Sequence, residues 1–445
     1  MPSRDHRLPD HALSGLASGG GGADAVRHLV APQRSKRRLL LLGTVRMAAM
    51  TGHPHARATE HAYDVLAGIE KKSPAAVRGT LAHPAVGAWA ASVVRSLRES
   101  GPRPDGPHGP ARLGAVAAVA AIKAGVPCEV QIPVSGGAIM LPSLGQIQLR
   151  DDGADGLVDL AVHADGRVEA GNVCLRPGAV PQRGWLPLRR LETADAGLRL
   201  LVDDLDFFRW SNADTVEGRL RETEFQAWRV ALDAAWKMLR AHHWTIAAEI
   251  QALISVLTPI KGPAQGMTSA SAADRFGTIA MSTPPDGRWL ASTFAHEVQH
   301  NKLNAILDVV ALLKPDEGST DYAPWRPDPR PLPGLLQGAY AFLGVAGFWR
   351  RQRAHEADLR PHAEFARWRE AAHLVTGTLL DSGRLTAPGE RFAAAMRRTL
   401  AAWLAEPVPP AALESARREA EAHRATWQAA HGRDPVTGCT SRSPS

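Results

Sequence analysis

A change of hydrophobic period constrains this fold more than any single motif. From about residue 24 to 122 apolar residues recur at helical spacing, in "ADAVRHLV", "RSKRRLLLLGTVRMAAM", "ATEHAYDVLAGIE", "VGAWAASVVRSLRE" and "ARLGAVAAVAAIKAG". At Val126 the period drops to two. "CEVQIPV", "AIMLP", "IQLRD", "LVDLAV" and "RVEAGNV" are short and alternating, with "SGG", "DDGADG" and "ADG" between them. Such a run reads as antiparallel strands joined by tight turns. From Thr215 the helical period returns, in "ETEFQAWRVALDAAWKMLRAHH" and "WTIAAEIQALISVL", and "RFGTIAMST" (Arg275 to Thr283) reads as one more strand. The expected class is α+β, mainly helical. The expected regions are an N-terminal helical region over 1–125, a central antiparallel β-rich region over 126–212, a C-terminal helical region over 213–405, and a last helix with a polar, disordered tail over 406–445.

Three cysteines, Cys128, Cys174 and Cys439, are too few and too widely spaced for a disulfide framework or a C-x-x-C metal site. The opening "MPSRDHRLPDHALSG" has no apolar core of a secretory signal, so the chain reads as cytoplasmic. The run Leu39 to Met50 is broken by Arg46 and too short to span a bilayer; a helix buried on one face is expected, and no membrane partner. The net charge of +7 favours an acidic partner. The basic spots Arg34 to Arg38 and Arg326 to Arg330 lack the interleaved aromatics of a single-strand groove, so nucleic acid is not the expected partner.

The helix expected after the turn "PPDGR" carries "STFAHEVQHNKLNAILD", with H-E-x-x-H at His296, Glu297 and His300. Residues four apart project from one helical face, so the two imidazoles can share one metal. Glu297 is placed to reach a metal-bound water or to act from a second layer. Phe294, Ala295, Leu303, Ile306 and Leu307 surround the motif with apolar surface. The longer metzincin signature fails, because Leu303 and Ile306 stand where it needs Gly and His. The thermolysin-like form fails too, because the helix starting near Leu335 carries no Glu before Glu356. Two histidines and one more ligand suit a zinc hydrolase with an activated water or a non-haem iron(II) oxygenase.

"DYAPWRPDPRPLPGLLQGAYAFLGVAGFWR" (Asp321 to Arg350) is the second informative stretch. Five prolines stiffen a loop presenting Arg326 and Arg330. A fixed guanidinium makes a good carboxylate clamp; pairing with Asp328 or Asp321 is the local alternative. In the next helix Gln337 can offer an amide oxygen to a hard metal or simply satisfy a buried polar group. Tyr340 shares its face, and Tyr340 and Phe342 also suit a core. Gly338 permits close approach of another backbone.

"HEVQHNKLNAILD", followed by "YAPWRPDPRPLPGLLQGAYAFLGVAGFW", resembles the HExxH-motif peptide-modification proteins of bacterial ribosomal-peptide gene clusters, a family of 2-oxoglutarate-dependent peptide β-hydroxylases. Similar stretches include "HALSGLASGGGGADAVRHLVAPQRSKRRLLLL", "HPAVGAWAASVVRSL", "GGAIMLPSLGQ" and "FARWREAAHLVTGTLLDSGRLTAPGERF". The resemblance implies Fe(II), the cosubstrate 2-oxoglutarate and O₂, with hydroxylation at a β-carbon of a ribosomally synthesised precursor peptide. His296 and His300 become iron ligands and Glu297 keeps the motif position. Charge and loop stiffness make Arg326 or Arg330 the candidate for the cosubstrate's distal carboxylate, with Tyr340 beside them. Gln337 is the favoured third ligand, with Asp308, Asp321 and Glu364 as rivals. Two alternatives stand beside this reading: a Zn(II) metallopeptidase with Glu297 as base, and a non-catalytic scaffold adding a peptide strand to an edge of the β-rich region.

Overall fold

The computed structural model describes residues 6–99, 105–149, 155–210, 215–216, 218–263, 266–315 and 318–432. The tail after Gly432, with Cys439, lies outside the described residues, as do parts of the turns expected near 100–104 and 150–154. Helix makes up 56% and strand 14%, which bears out a mainly helical α+β chain. Two compact units are present. One comprises Met1–Leu29, Ala235–Ala252 and Arg288–Ser445; the other comprises Val30–Ala234 and Leu253–Gly287.

Helices α1 (Asp10–Ala17) and α2 (Gly22–Met50) open the chain. The two helices read over this stretch are one, continuous through Pro32. An interior proline removes one hydrogen bond and strains the preceding turn, yet a long helix can carry that cost where packing holds it on both sides. Leu41, Thr44 and Ala48 are buried while Leu39 and Met50 are exposed, as a one-sided helix requires. The basic cluster is partly structural. Arg37 is buried and donates to the carbonyls of Leu81, Ala82 and Phe276 at 2.9, 2.6 and 2.6 Å.

The strand-bearing unit continues with α3 (Ala56–Lys72), α4 (Pro74–Leu81), α5 (Pro84–Arg98) and α6 (Leu113–Ala124). Helix α6 is the centre of its core: Leu113 to Ala121 are all buried. Its small side chains let it lie close on β1 (Cys128–Val134). A Cβ on Gly114 would stand 2.0 Å from the Gln131 carbonyl oxygen. Strands β2 (Ala138–Leu141), β3 (Gly145–Gln148), β4 (Gly156–Val162), β5 (Val168–Ala170), β6 (Val173–Leu175) and β7 (Trp185–Pro187) complete two antiparallel sheets, in the orders β1-β4-β5-β6 and β2-β3-β7. "RVEAGNV" is two strands, because Gly171 at φ +54° turns the chain between them.

The third sheet adds parallel pairs to the antiparallel ones, through strands that lie past the central β-rich region. After β8 (Arg189–Glu192) and β9 (Arg199–Val202) come α7 (Glu222–His242), α8 (Trp244–Leu253), β10 (Val256–Pro259), β11 (Ser269–Ala270) and β12 (Thr278–Met281). β9, β10 and β12 pair in parallel, and the order is β11-β12-β10-β9-β8. Parallel neighbours need a long crossover, which the helical segment between β9 and β10 supplies. The helix read over "WTIAAEIQALISVL" therefore ends at Leu253. β10 is buried on both faces, so it lacks the alternation that marks a half-exposed strand.

In the helical unit, α9 (Gly287–Leu307) carries the HExxH residues. A short ladder, β13 (Thr320–Asp321) with β14 (Arg330–Pro331), closes the proline-rich loop, and α10 (Leu332–Gln352) starts at once with Pro333 in its first turn. Helices α11 (Arg360–Asp381), α12 (Ala387–Leu404) and α13 (Pro410–His431) follow. α10 packs on α11, and α11 on α12 and α13. α9 and α10 meet at Gly344, where a Cβ would stand 2.5 Å from Gln299 Cγ and 2.7 Å from the Ala295 carbonyl oxygen. This close crossing brings the face of α10 bearing Gln337 to the histidines.

Candidate metal centre

Three residues spaced by four along α9 form one stripe: His296, His300 and Asn304. Both histidines are half-buried. Their Nε2 atoms are 3.1 Å apart. Two nitrogens each ~2.1 Å from one ion, at angles between the right and tetrahedral angles, stand ~3.0–3.4 Å apart. The observed separation falls in that range. Burial first, then the neighbouring His300, pushes His296 down to about 4, with Glu297 opposing. His296 is thus neutral near pH 7 and offers a lone pair, as metal ligation requires.

Helix α10 supplies the next layer. His300 Nδ1 lies 2.9 Å from Gln337 Oε1, and Gln337 Nε2 donates to Asn304 Oδ1 at 2.7 Å. Gln337 therefore meets the far side of the His300 ring, away from the Nε2 pair. The His296 ring meets the edge of Phe342 at 5.1 Å. Phe342 is stacked between Trp325 at 4.9 Å and Trp368 at 4.2 Å. Gly338 makes this stack possible: a Cβ there would stand 2.3 Å from the Trp325 indole. The close approach expected at Gly338 is thus by a ring rather than a backbone. These three aromatic rings form an apolar wall beside His296.

The other expected site residues fall elsewhere. Arg326 and Arg330 each bond Asp328 at 3.1 Å, the local alternative to a carboxylate clamp. Tyr340 is fully buried and donates to the Leu16 carbonyl at 2.7 Å, so its hydroxyl serves the core. Among the rival ligands, Glu364 accepts from Trp368 Nε1 at 2.7 Å, and Asp308 and Asp321 are exposed. Glu297 is buried beside the pair, and its backbone carbonyl accepts from Asn301 Nδ2 at 3.2 Å. Among the described residues no group of three or more His, Cys, Asp or Glu side chains is gathered to hold a metal ion. Among the described residues what converges here is a pair of imidazoles, one ligand short of the three protein ligands of a catalytic zinc or facial-triad iron site.

Sequence reasoning missed the role of Asn304, although its spacing from His300 repeats that of the histidines. It also missed the opposite face of α9. Lys302 is fully buried, ion-paired to Glu249 at 2.9 Å, and reaches the Gly20 carbonyl at 3.2 Å. Gln299 Nε2 donates to the Gly19 carbonyl at 2.8 Å, and the Gly22 N–H to Glu249 Oε1 at 3.0 Å. The glycine-rich turn is thereby fixed to the back of the histidine helix. Compared with known proteins, the chain matches no family model and no curated protein.

Proposed function

We propose that the chain is an iron(II)- and 2-oxoglutarate-dependent hydroxylase acting at a β-carbon of a ribosomally made, acidic precursor peptide. The observation that carries the reading is the pair of converging imidazoles of His296 and His300, with Nε2 atoms 3.1 Å apart. That separation suits two ligands of one shared ion, iron or zinc alike. The resemblance of "HEVQHNKLNAILD" and the following segment to the peptide-modification proteins supplies the cosubstrate and substrate class.

His296 and His300 would hold the metal, which when bound would supply the oxygen-activating chemistry. Gln337 orients the His300 ring. Phe342, with Trp325 and Trp368 behind it, excludes water from the His296 side, where an apolar wall protects a reactive centre. The zinc peptidase is the second reading, favoured by buried Glu297 beside the pair.

The test is anaerobic reconstitution with Fe(II) and 2-oxoglutarate, then O₂, with the precursor peptide encoded beside the gene. Peptide-stimulated succinate and a mass gain of one oxygen on the peptide are expected, both lost in His296→Ala. Peptide cleavage with Zn(II), absence of succinate, and loss of that cleavage in Glu297→Gln would overturn the proposal in favour of the peptidase.

A further inference from the structure

Asn304 and Gln337 form a directional relay that ends on a candidate ligand. An amide has one acceptor end and one donor end. Gln337 gives its donor end to Asn304 Oδ1 at 2.7 Å, so its acceptor end faces His300 Nδ1 at 2.9 Å. A neutral imidazole carries one N–H, and an acceptor at Nδ1 draws the proton there. The lone pair then lies at Nε2, where in the metal-free protein it accepts from His296 Nε2–H at 3.1 Å. Were Gln337 reversed, its NH₂ would face Nδ1, the proton would move to Nε2, and the His300 lone pair would point away from His296.

We infer that Gln337 is a positioning residue, not a metal ligand, and that with Asn304 it selects the His300 tautomer that can bind a metal. The inference rests on the metal-site reading for its consequence, but its first readout needs no metal. Ligand histidines commonly donate their second N–H to a fixed acceptor, and loss of that acceptor weakens metal binding roughly 10–100-fold. Here the acceptor is a neutral amide whose direction is set one residue further out, on the same helix as the histidines.

The experiment uses the full chain with Gln337→Met, Gln337→Glu, Asn304→Leu and Asn304→Asp. In the metal-free protein, ¹⁵N histidine NMR reads the His300 tautomer. Wild type, Gln337→Glu and Asn304→Asp are expected to keep the proton on Nδ1, because each retains the needed acceptor. Gln337→Met and Asn304→Leu are expected to shift population to the Nε2–H form. Zn(II) affinity, by competition with a chromophoric chelator, is expected to fall roughly 10–100-fold in Gln337→Met and to recover in Gln337→Glu. An unchanged tautomer in Gln337→Met together with lost affinity would make Gln337 a ligand and overturn the inference. Equal losses in Gln337→Met and Gln337→Glu would overturn it as well. Zn(II) binding that survives His296→Ala/His300→Ala would remove the metal-site reading while the tautomer measurement still decides the relay.

Discussion

Replacing Asp203 by asparagine should reveal a pH dependence that the wild-type protein conceals. Asp203 follows β9 and is completely buried, with its Oδ2 3.7 Å from Nε2 of buried His83. Among the described residues, that carboxylate oxygen and both ring nitrogens lack a hydrogen-bond partner. Burial first, then Asp206, pushes the Asp203 carboxyl up from 3.8 to about 7. Burial first pushes His83 down from 6.5 to about 4. Asp203, with its raised value, contributes stability that is present below 3.8 and is lost as pH rises toward 7. His83, with its lowered value, contributes stability that is present above 6.5 and is lost as pH falls toward 4. Between about pH 4 and 6.5 the unfolded pair carries one proton, on the histidine, and the folded pair carries one proton, on the aspartate. The counts match, so the pair adds no slope to stability.

The amide introduced by Asp203→Asn would resemble the protonated carboxyl already present in the folded state, so only the unfolded count changes. One extra proton in the unfolded state gives a slope of about 1.4 kcal/mol per pH unit, so stability should rise by about 3 kcal/mol from about pH 4.5 to 6.5 relative to wild type. His83→Asn should show the opposite slope, falling by a similar amount. Native-state hydrogen exchange, corrected for intrinsic pH dependence and read on peptides covering β9 and β10, measures this unit directly. Pro259 lacks an amide, but the remaining positions of the two strands report. Two variants that run parallel to wild type across this window would refute the neutral pairing and indicate a buried Asp⁻–His⁺ pair.

Other outcomes follow from single contacts. Lys302→Met leaves Glu249 buried without its partner and should destabilise the helical unit by about 3–5 kcal/mol, with much of the loss recovered in Lys302→Met/Glu249→Leu; urea unfolding of the single and double variants checks this. Gly344→Ala places a methyl against Gln299 and the Ala295 carbonyl and should cost about 1–3 kcal/mol by the same assay, while weakening Zn(II) binding as α9 and α10 are forced apart. Phe342→Ala opens the stack of Trp325 and Trp368 and should cost about 2 kcal/mol, with a red shift in tryptophan emission as water reaches both indoles. Arg326→Ala removes only an exposed pair with Asp328 and should change stability by less than about 1 kcal/mol and leave the 2-oxoglutarate KM unchanged; a large rise in KM would restore the carboxylate clamp.

Sequence periodicity alone was enough to place most of the helices and strands β1 to β6, because local spacing of apolar residues records which face of each element is buried. It was also enough to put His296 and His300 on one helical face, since a spacing of four needs no partner to define it. The parallel pairing of β9, β10 and β12 was not legible: a strand buried on both faces has no alternation, and its neighbours are chosen by distant segments. The contact of Gln337 with His300 was hidden for the same reason. Gln337 could be named as a polar residue on a helix, but whether it faced a metal, a histidine or a carbonyl depended on how α10 crosses α9. Gly344 fixes that crossing by excluding any larger side chain between the helices. Likewise Arg326 and Arg330 read equally as a clamp or as local pairs until the loop closed through β13 and β14 and brought Asp328 to both. Local sequence sets the elements and their faces; only tertiary packing decides which polar atoms meet, because hydrogen bonds depend on ångström distances between residues far apart in the chain.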